Sequence, residues 1–165
     1  MADQNDISSI APAKALALLG YGESVAAYRY RTLADRVPPG RYRDILEEMA
    51  DEEQGHHQLV QSWIATHFGA ANYLLTDEDK ALVSAGIRQL DLARPDFLER
   101  AIEVIAASER LTGKFYSSLS EAPPAPELRD VLREMAEECF DHATRLEALF
   151  GGIDAADPSG EAGGS

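Results

Sequence analysis

The sequence predicts an all-α fold, a four-helix bundle with one long crossover, and three observations support it. Apolar residues recur at helical spacing in four separate segments. Proline-rich breaks divide these segments into two hairpins. The hairpins also read as copies of one another along most of their length.

The first helix is expected over Pro12 to Arg36, with Ala15, Leu19, Gly22, Ala26, Tyr30 and Leu33 on one stripe. Val37, Pro38, Pro39 and Gly40 end it, because proline has no N–H to continue the helical ladder. The second helix is expected from Arg41 to Phe68, along Ile45, Leu46, Met49, Leu59, Val60, Trp63 and Ile64. About 26 residues, Gly69 to Arg94, then form a connector, with a short helix expected after Thr76 as N-cap. The third helix follows Pro95 and Asp96, along Leu98, Ile102, Ile105, Thr112, Tyr116 and Leu119. Pro123, Pro124 and Pro126 punctuate the chain again, and the fourth helix runs to about Phe150. Short turns inside each hairpin and one long link between them make the pattern of a ferritin-like bundle. Residues 1–11 are expected to be flexible, 12–150 to form the bundle, and the Gly-, Ala- and Ser-rich tail 151–165 to be disordered.

Twenty-nine acidic residues against fifteen basic ones give a formal charge of −14. Such a surface repels phosphate backbones and anionic lipid, so neither nucleic acid nor a membrane surface is expected as a partner. No apolar run reaches the roughly 18 residues of a membrane helix. The N-terminus has no signal-peptide pattern, so a cytoplasmic location is the default expectation. Cys139 is the single cysteine, which excludes an intrachain disulfide and any CxxC pair.

The repeat identifies the residues that carry chemistry. Shifted by 86 positions, segment 43–56 lies over segment 129–142 with eight of fourteen residues identical. The match extends upstream, where Tyr30 meets Tyr116, Leu33 meets Leu119 and Pro38 meets Pro124. A duplicated helical hairpin with a pseudo-twofold axis explains it. Among polar residues, Glu23 maps onto Glu109 and His56 onto His142. Both glutamates interrupt apolar stripes, and Glu53 lies one turn before His56 on the same face. Buried carboxylates cost several kcal/mol each unless a cation accompanies them. Glu23, Glu53, His56, Glu109 and His142 are therefore the candidate ligands of a di-metal site. One Glu from each of two helices and a Glu-x-x-His pair from the others is a ligand set for two hard or borderline cations, iron or manganese.

One position departs from that set. Three residues before His142 stands Cys139 where a glutamate is expected. Glu138 substitutes through a local helix adjustment, or Cys139 ligates as thiolate, or the site is degenerate. Cysteine also serves as a small core residue, which is compatible with the first alternative. Tyr30 and Tyr116 read chiefly as core with their hydroxyls satisfied, and His57 as a surface residue.

Gly22-Glu23-Ser24-Val25-Ala26-Ala27-Tyr28-Arg29-Tyr30 resembles the first-helix signature of rubrerythrins, GES-x-A-x-x-R-Y. Ala50-Asp51-Glu52-Glu53-Gln54-Gly55-His56 resembles their A-D-x-E-x-x-H motif. Glu109 with Phe115 and Tyr116 is similar to the third-helix pattern, and residues 136–142 match the fourth except at Cys139. The resemblance spans about residues 12–150 and implies a di-iron bundle, usually a homodimer, that reacts with hydrogen peroxide or oxygen. Glu53 would bridge the irons, Glu23 and Glu109 would terminate or bridge, and His56 and His142 would cap one iron each. Two departures are visible. The chain has no rubredoxin-like CxxC domain, so electrons would come from an external donor protein. Thr112 stands where rubrerythrins carry an additional glutamate. The expected function is a di-iron oxidoreductase reducing peroxide or oxygen. The alternatives are an iron-binding or storage protein without turnover, and a degenerate bundle acting as an interaction module.

Overall fold

A computed structural model of the chain describes residues 11–69, 75–84 and 96–150. The helices are α1 (Pro12–Ala34), α2 (Arg41–Phe68), α3 (Asp77–Ser84), α4 (Phe97–Glu121) and α5 (Arg129–Phe150). A single 3₁₀ turn, Pro126–Leu128, leads into α5, and the described residues contain no strand. The expectations of flexibility at residues 1–10 and disorder at 151–165 lie outside the described residues.

Sequence punctuation and observed ends agree to within a few residues. Helix α1 stops at Ala34, and the bonds Arg36 N–H to Leu33 O and Val37 N–H to Ala34 O tighten the chain ahead of the prolines. Arg43 reaches back from α2 and donates to the Ala34 carbonyl at 2.9 Å, satisfying an orphan group at the C-terminal end of α1. Gly40 and Gly69 bracket α2 with φ of 142° and 72°, conformations that L side chains rarely adopt. Thr76 is the N-cap foreseen for α3. Its hydroxyl accepts from Asp79 N–H at 3.2 Å while the Asp79 carboxylate accepts from Thr76 N–H at 2.9 Å, a reciprocal cap. Lys14 of α1 pairs with Asp79 at 2.9 Å and holds this short helix against the bundle.

The order of residues within the core sets the helix directions. One apolar cluster joins Leu16 and Leu19 near the start of α1 with Val60, Trp63 and Ile64 late in α2. The same cluster takes Tyr116 and Leu119 late in α4, and Leu132 and Met135 early in α5. A second cluster joins the opposite ends: Tyr30 and Leu33, Leu46 and Met49, Ile102 and Ile105, Ala143 and Leu146. Each hairpin is thus antiparallel, whereas α2 and α4 run parallel. A 28-residue helix is about 42 Å long, so the connector must return along the bundle before α4 can begin. That requirement explains why one link is long and the other two short.

Most stripe residues are buried as expected, including Met49, Trp63 and Met135. Leu59 is an exception at 38 % exposed, because the α2 stripe turns toward Val60, Trp63 and Ile64 there. Residues 15–20 of α1 are buried around the whole helix rather than along one stripe. Gly20 and Gly113 mark close helix contacts: a Cβ on Gly113 would sit 3.0 Å from the Phe140 ring and 3.2 Å from the Ala136 carbonyl oxygen.

Two glycine substitutions should therefore have opposite signs. Gly113→Ala should lower the free energy of unfolding by about 1 kcal/mol, since overpacking against α5 outweighs the gain in helix propensity. Gly55→Ala meets nothing within 4 Å and should raise it by roughly 0.5–1 kcal/mol. Chemical denaturation of both variants measures the difference.

Candidate metal centre

Between the two apolar clusters lies a polar layer supplied by all four long helices. Glu23 from α1, Glu53 from α2 and Glu109 from α4 are 1 %, 1 % and 4 % exposed, and His142 from α5 is 5 % exposed. The stripes that bury Leu19 and Ile105 also carry Glu23 and Glu109 inward one turn later. Ligand atoms of Glu23, Glu53 and His56 lie within 4.8 Å of one another, and so do those of Glu53, Glu109 and His142. Glu53 belongs to both groups. The five residues expected to converge are brought together as two trios joined by one carboxylate.

Both imidazoles turn Nδ1 into the layer. His142 Nδ1 is 2.5 Å from Glu53 Oε1 and 3.8 Å from Glu109 Oε1. His56 Nδ1 is 3.5 Å from Glu53 Oε2 and 3.9 Å from Glu23 Oε2. The rings stack with centroids 6.1 Å apart. These approaches carry electrostatic attraction but poor hydrogen-bond geometry. Both Glu53 oxygens and both Nδ1 atoms are buried without a hydrogen-bond partner among the described residues. Buried polar atoms of native proteins are rarely left so, and these four converge on one space. The donor set fits a pair of divalent cations: hard carboxylate oxygens, two imidazole nitrogens and one carboxylate placed to be shared.

Each hairpin orients the ligands of the other. Tyr30 donates from its hydroxyl to Glu109 at 2.7 Å, and Tyr116 donates to Glu23 at 2.5 Å. The outer nitrogens of the histidines behave in the same way. His142 Nε2 meets Glu52 at 2.9 Å, and His56 Nε2 meets Glu138 at 2.6 Å. A carboxylate on Nε2 keeps the proton there and leaves the Nδ1 lone pair for a metal.

The departing position is resolved geometrically. Glu138 stays on the outer side of His56 with its side chain 52 % exposed, and it joins neither trio. Cys139 takes the inner position, 2 % exposed, among core residues of α1, α2 and α4. Its sulfur also joins neither trio. Burial and the carboxylates of Glu23, Glu109 and Glu53 push its thiol far above the ordinary cysteine value, so it stays protonated and neutral.

His57 departs from the expectation of a surface residue. It is half-buried and its Nδ1 lies 2.7 Å from the Gly20 carbonyl. Glu52 and Arg29 lie within the two quoted motifs, but sequence reasoning gave neither a role. The signal for Glu52 was present, since it coincides with Glu138 under the 86-residue shift. Asp51 and Glu48, by contrast, form only exposed pairs with Arg31 and Arg145 at 3.4 Å.

The rubrerythrin family model matches residues 15–90, a little under half of the chain. Over that stretch the chain is similar to the rubrerythrin family. No curated protein and no solved structure matches it. The match covers most of α1 and all of α2 and α3, which carry Glu23, Glu53 and His56. It supports a carboxylate-bridged di-metal protein, and α4 and α5 complete the layer by geometry. None of the described helices is long and apolar enough to cross a membrane.

Protonation follows the same packing. Burial and the neighbouring Glu53 raise Glu23 well above the carboxylate range, and burial and Glu53 also raise Glu109. Burial opposes ionisation of Glu53, but the approach of Glu23, His142 and His56 outweighs it and holds that carboxyl well below its ordinary value. Burial likewise disfavours the His142 cation, yet Glu109 and Glu53 overcome it and push the ring up to about 11. Glu53 raises His56 against a similar burial penalty. Without a cation the layer is therefore held together by protons.

Metal must displace those protons, so the sign of the pH dependence is fixed. Affinity should rise with pH through neutrality, because His142 binds metal only deprotonated and its pKa lies near 11. Calorimetric titration with a divalent metal in two buffers of different ionisation enthalpy should show net proton release at pH 7. Proton uptake, or none, contradicts the layer described. Glu52→Gln and Glu138→Gln should each weaken metal binding by about 10–100-fold in chelator competition while leaving the helical content unchanged.

Proposed function

We propose that the protein is a di-iron oxidoreductase of the rubrerythrin type, reducing peroxide or oxygen with electrons from a separate donor protein. The observation that carries this reading is Glu53, one buried carboxylate within reach of two Glu/His trios. A mononuclear site needs no such shared residue. Iron suits the mixture of carboxylate oxygen and imidazole nitrogen, as does manganese, and the similarity to rubrerythrins over residues 15–90 favours iron.

When bound, iron supplies one-electron steps between its ferrous and ferric forms. The chain does the rest. Glu23, Glu53, Glu109, His56 and His142 would hold the cations, with Glu53 within reach of both trios. Tyr30 and Tyr116 fix the orientation of the terminal carboxylates through their hydroxyls. Glu52 and Glu138 hold the protons on Nε2. The two apolar clusters close the centre above and below, shielding the three carboxylates from bulk water. Both histidines line an open pocket between α2 and α5 with Glu52, Glu138, Asp141 and Arg145, which offers a route for cations from solvent. Thr112 occupies the position of the additional rubrerythrin glutamate, so proton delivery to peroxide would not use that carboxylate.

A second reading, iron binding without turnover, is favoured by Cys139, which withholds a second bridging carboxylate. Two measurements separate the readings. Ferrous-loaded protein mixed anaerobically with hydrogen peroxide in a stopped-flow instrument should develop near-ultraviolet ferric absorbance within seconds. A flat trace at two bound irons per chain sinks the redox reading. Cys139→Glu should raise iron affinity at least about tenfold if the position faces the cations, as charge-assisted ligation requires.

A further inference from the structure

The open pocket between α2 and α5 gives solvent an approach to both histidines of the layer. These two helices pack on each other far less closely than the helices within each hairpin, so side chains span the gap between them. Arg145 of α5 is one that does. Its Nη2 donates to Glu48 Oε2 at 3.4 Å, and its Nη1 lies 3.8 Å from Glu52 Oε2. One guanidinium thus holds two carboxylates that lie one turn apart on α2. The same Glu52 oxygen lies 2.9 Å from His142 Nε2, so the bridge ends on the carboxylate that orients a candidate ligand.

The bridge is built to open. The side chains of Arg145 and Glu52 are each 38 % exposed and that of Glu48 is 61 % exposed. Exposed ion pairs contribute little to stability and part readily. The internal repeat shows, independently, that this bridge is not needed to orient the histidines. The 86-residue shift carries Glu48 onto Glu134, Glu52 onto Glu138 and Leu59 onto Arg145. The half of the centre around His56 therefore has leucine where the half around His142 has a guanidinium. His56 Nε2 still meets Glu138 at 2.6 Å.

We propose that Arg145 is a gating residue, whose clasp on Glu48 and Glu52 across the gap between α2 and α5 slows the passage of divalent cations into and out of the centre. The proposal rests on the di-metal reading above and deepens it, because it assigns the rate of loading to a residue outside the ligand set. Two properties of the guanidinium act together. It places positive charge in a pocket otherwise lined by Glu52, Glu138 and Asp141. Its separate nitrogens also reach two carboxylates at once, where a lysine ammonium offers one nitrogen for both.

Cobalt(II) is the probe. Metal-free full-length protein is mixed with cobalt(II) in a stopped-flow instrument, and uptake is followed by the visible absorbance of the bound ion. Release is followed on mixing the loaded protein with excess chelator. Arg145→Leu, which gives α5 the residue of the matching position in α2, should load and release cobalt at least about threefold faster than the wild type, with equilibrium affinity changed by less than about twofold. Arg145→Lys should fall between them. Glu48→Ala separates the clasp from simple attraction. It removes negative charge from the rim, so weaker attraction alone would slow loading, whereas loss of the clasp speeds both loading and release. Unchanged rates in Arg145→Leu, faster loading with slower release in that variant, or loading that is not accelerated in Glu48→Ala overturns the proposal and leaves Arg145 as a surface counter-charge. A wild-type protein that binds no cobalt overturns it together with the di-metal reading, and the metal content at equilibrium distinguishes the two failures.

Discussion

The rest of the structure is organised around the burial of three carboxylates, Glu23, Glu53 and Glu109, at mid-height in an otherwise apolar bundle. Such burial costs several kcal/mol per charge, and the fold answers it without exposing the layer. Glu23 and Glu109 are driven toward their protonated forms, while Glu53 stays ionised against two histidines. Tyrosine hydroxyls satisfy the outer pair of carboxylates. This leaves the atoms of Glu53 and both Nδ1 without hydrogen bonds, directed at a common space. A layer that is costly with protons becomes favourable with cations, so affinity for metal and instability without it share one origin.

The layer also makes the two hairpins interdependent. Tyr30 serves Glu109 and Tyr116 serves Glu23; Glu52 serves His142 and Glu138 serves His56. Every one of these contacts crosses from one hairpin to the other, so each hairpin orients ligands carried by its counterpart. The apolar clusters impose the same exchange, since each takes residues from all four long helices. Parallel α2 and α4 follow from that packing, and the long connector follows from the parallel arrangement.

The hairpins diverge where Glu53 faces Cys139. A buried neutral thiol in place of a carboxylate preserves packing volume but removes a ligand and a negative charge. The consequence is a layer of three buried carboxylates in which only Glu53 belongs to both trios. Arg29, buried and half-paired, lies between α1 and α4 beside Glu23 and Glu109, whereas the acidic pocket between α2 and α5 attracts cations. The two faces of the layer are electrostatically distinct.

Much of this was legible in the sequence. Helical periodicity and proline breaks determine the four long helices, because both act within a few residues along the chain. Comparing the chain with itself singled out Glu23, His56, Glu109 and His142, since polar residues persisting on apolar stripes need a physical reason to remain, and Glu53 followed from its place one turn before His56. Tertiary structure alone decided which atoms face the centre. Glu138 and Cys139 are adjacent, and only the rotation of α5 against α1, α2 and α4 puts the thiol inside and the carboxylate outside. The contacts of Glu52 and Arg29 were illegible for the same reason: their partners lie on other helices, at separations that no local spacing encodes.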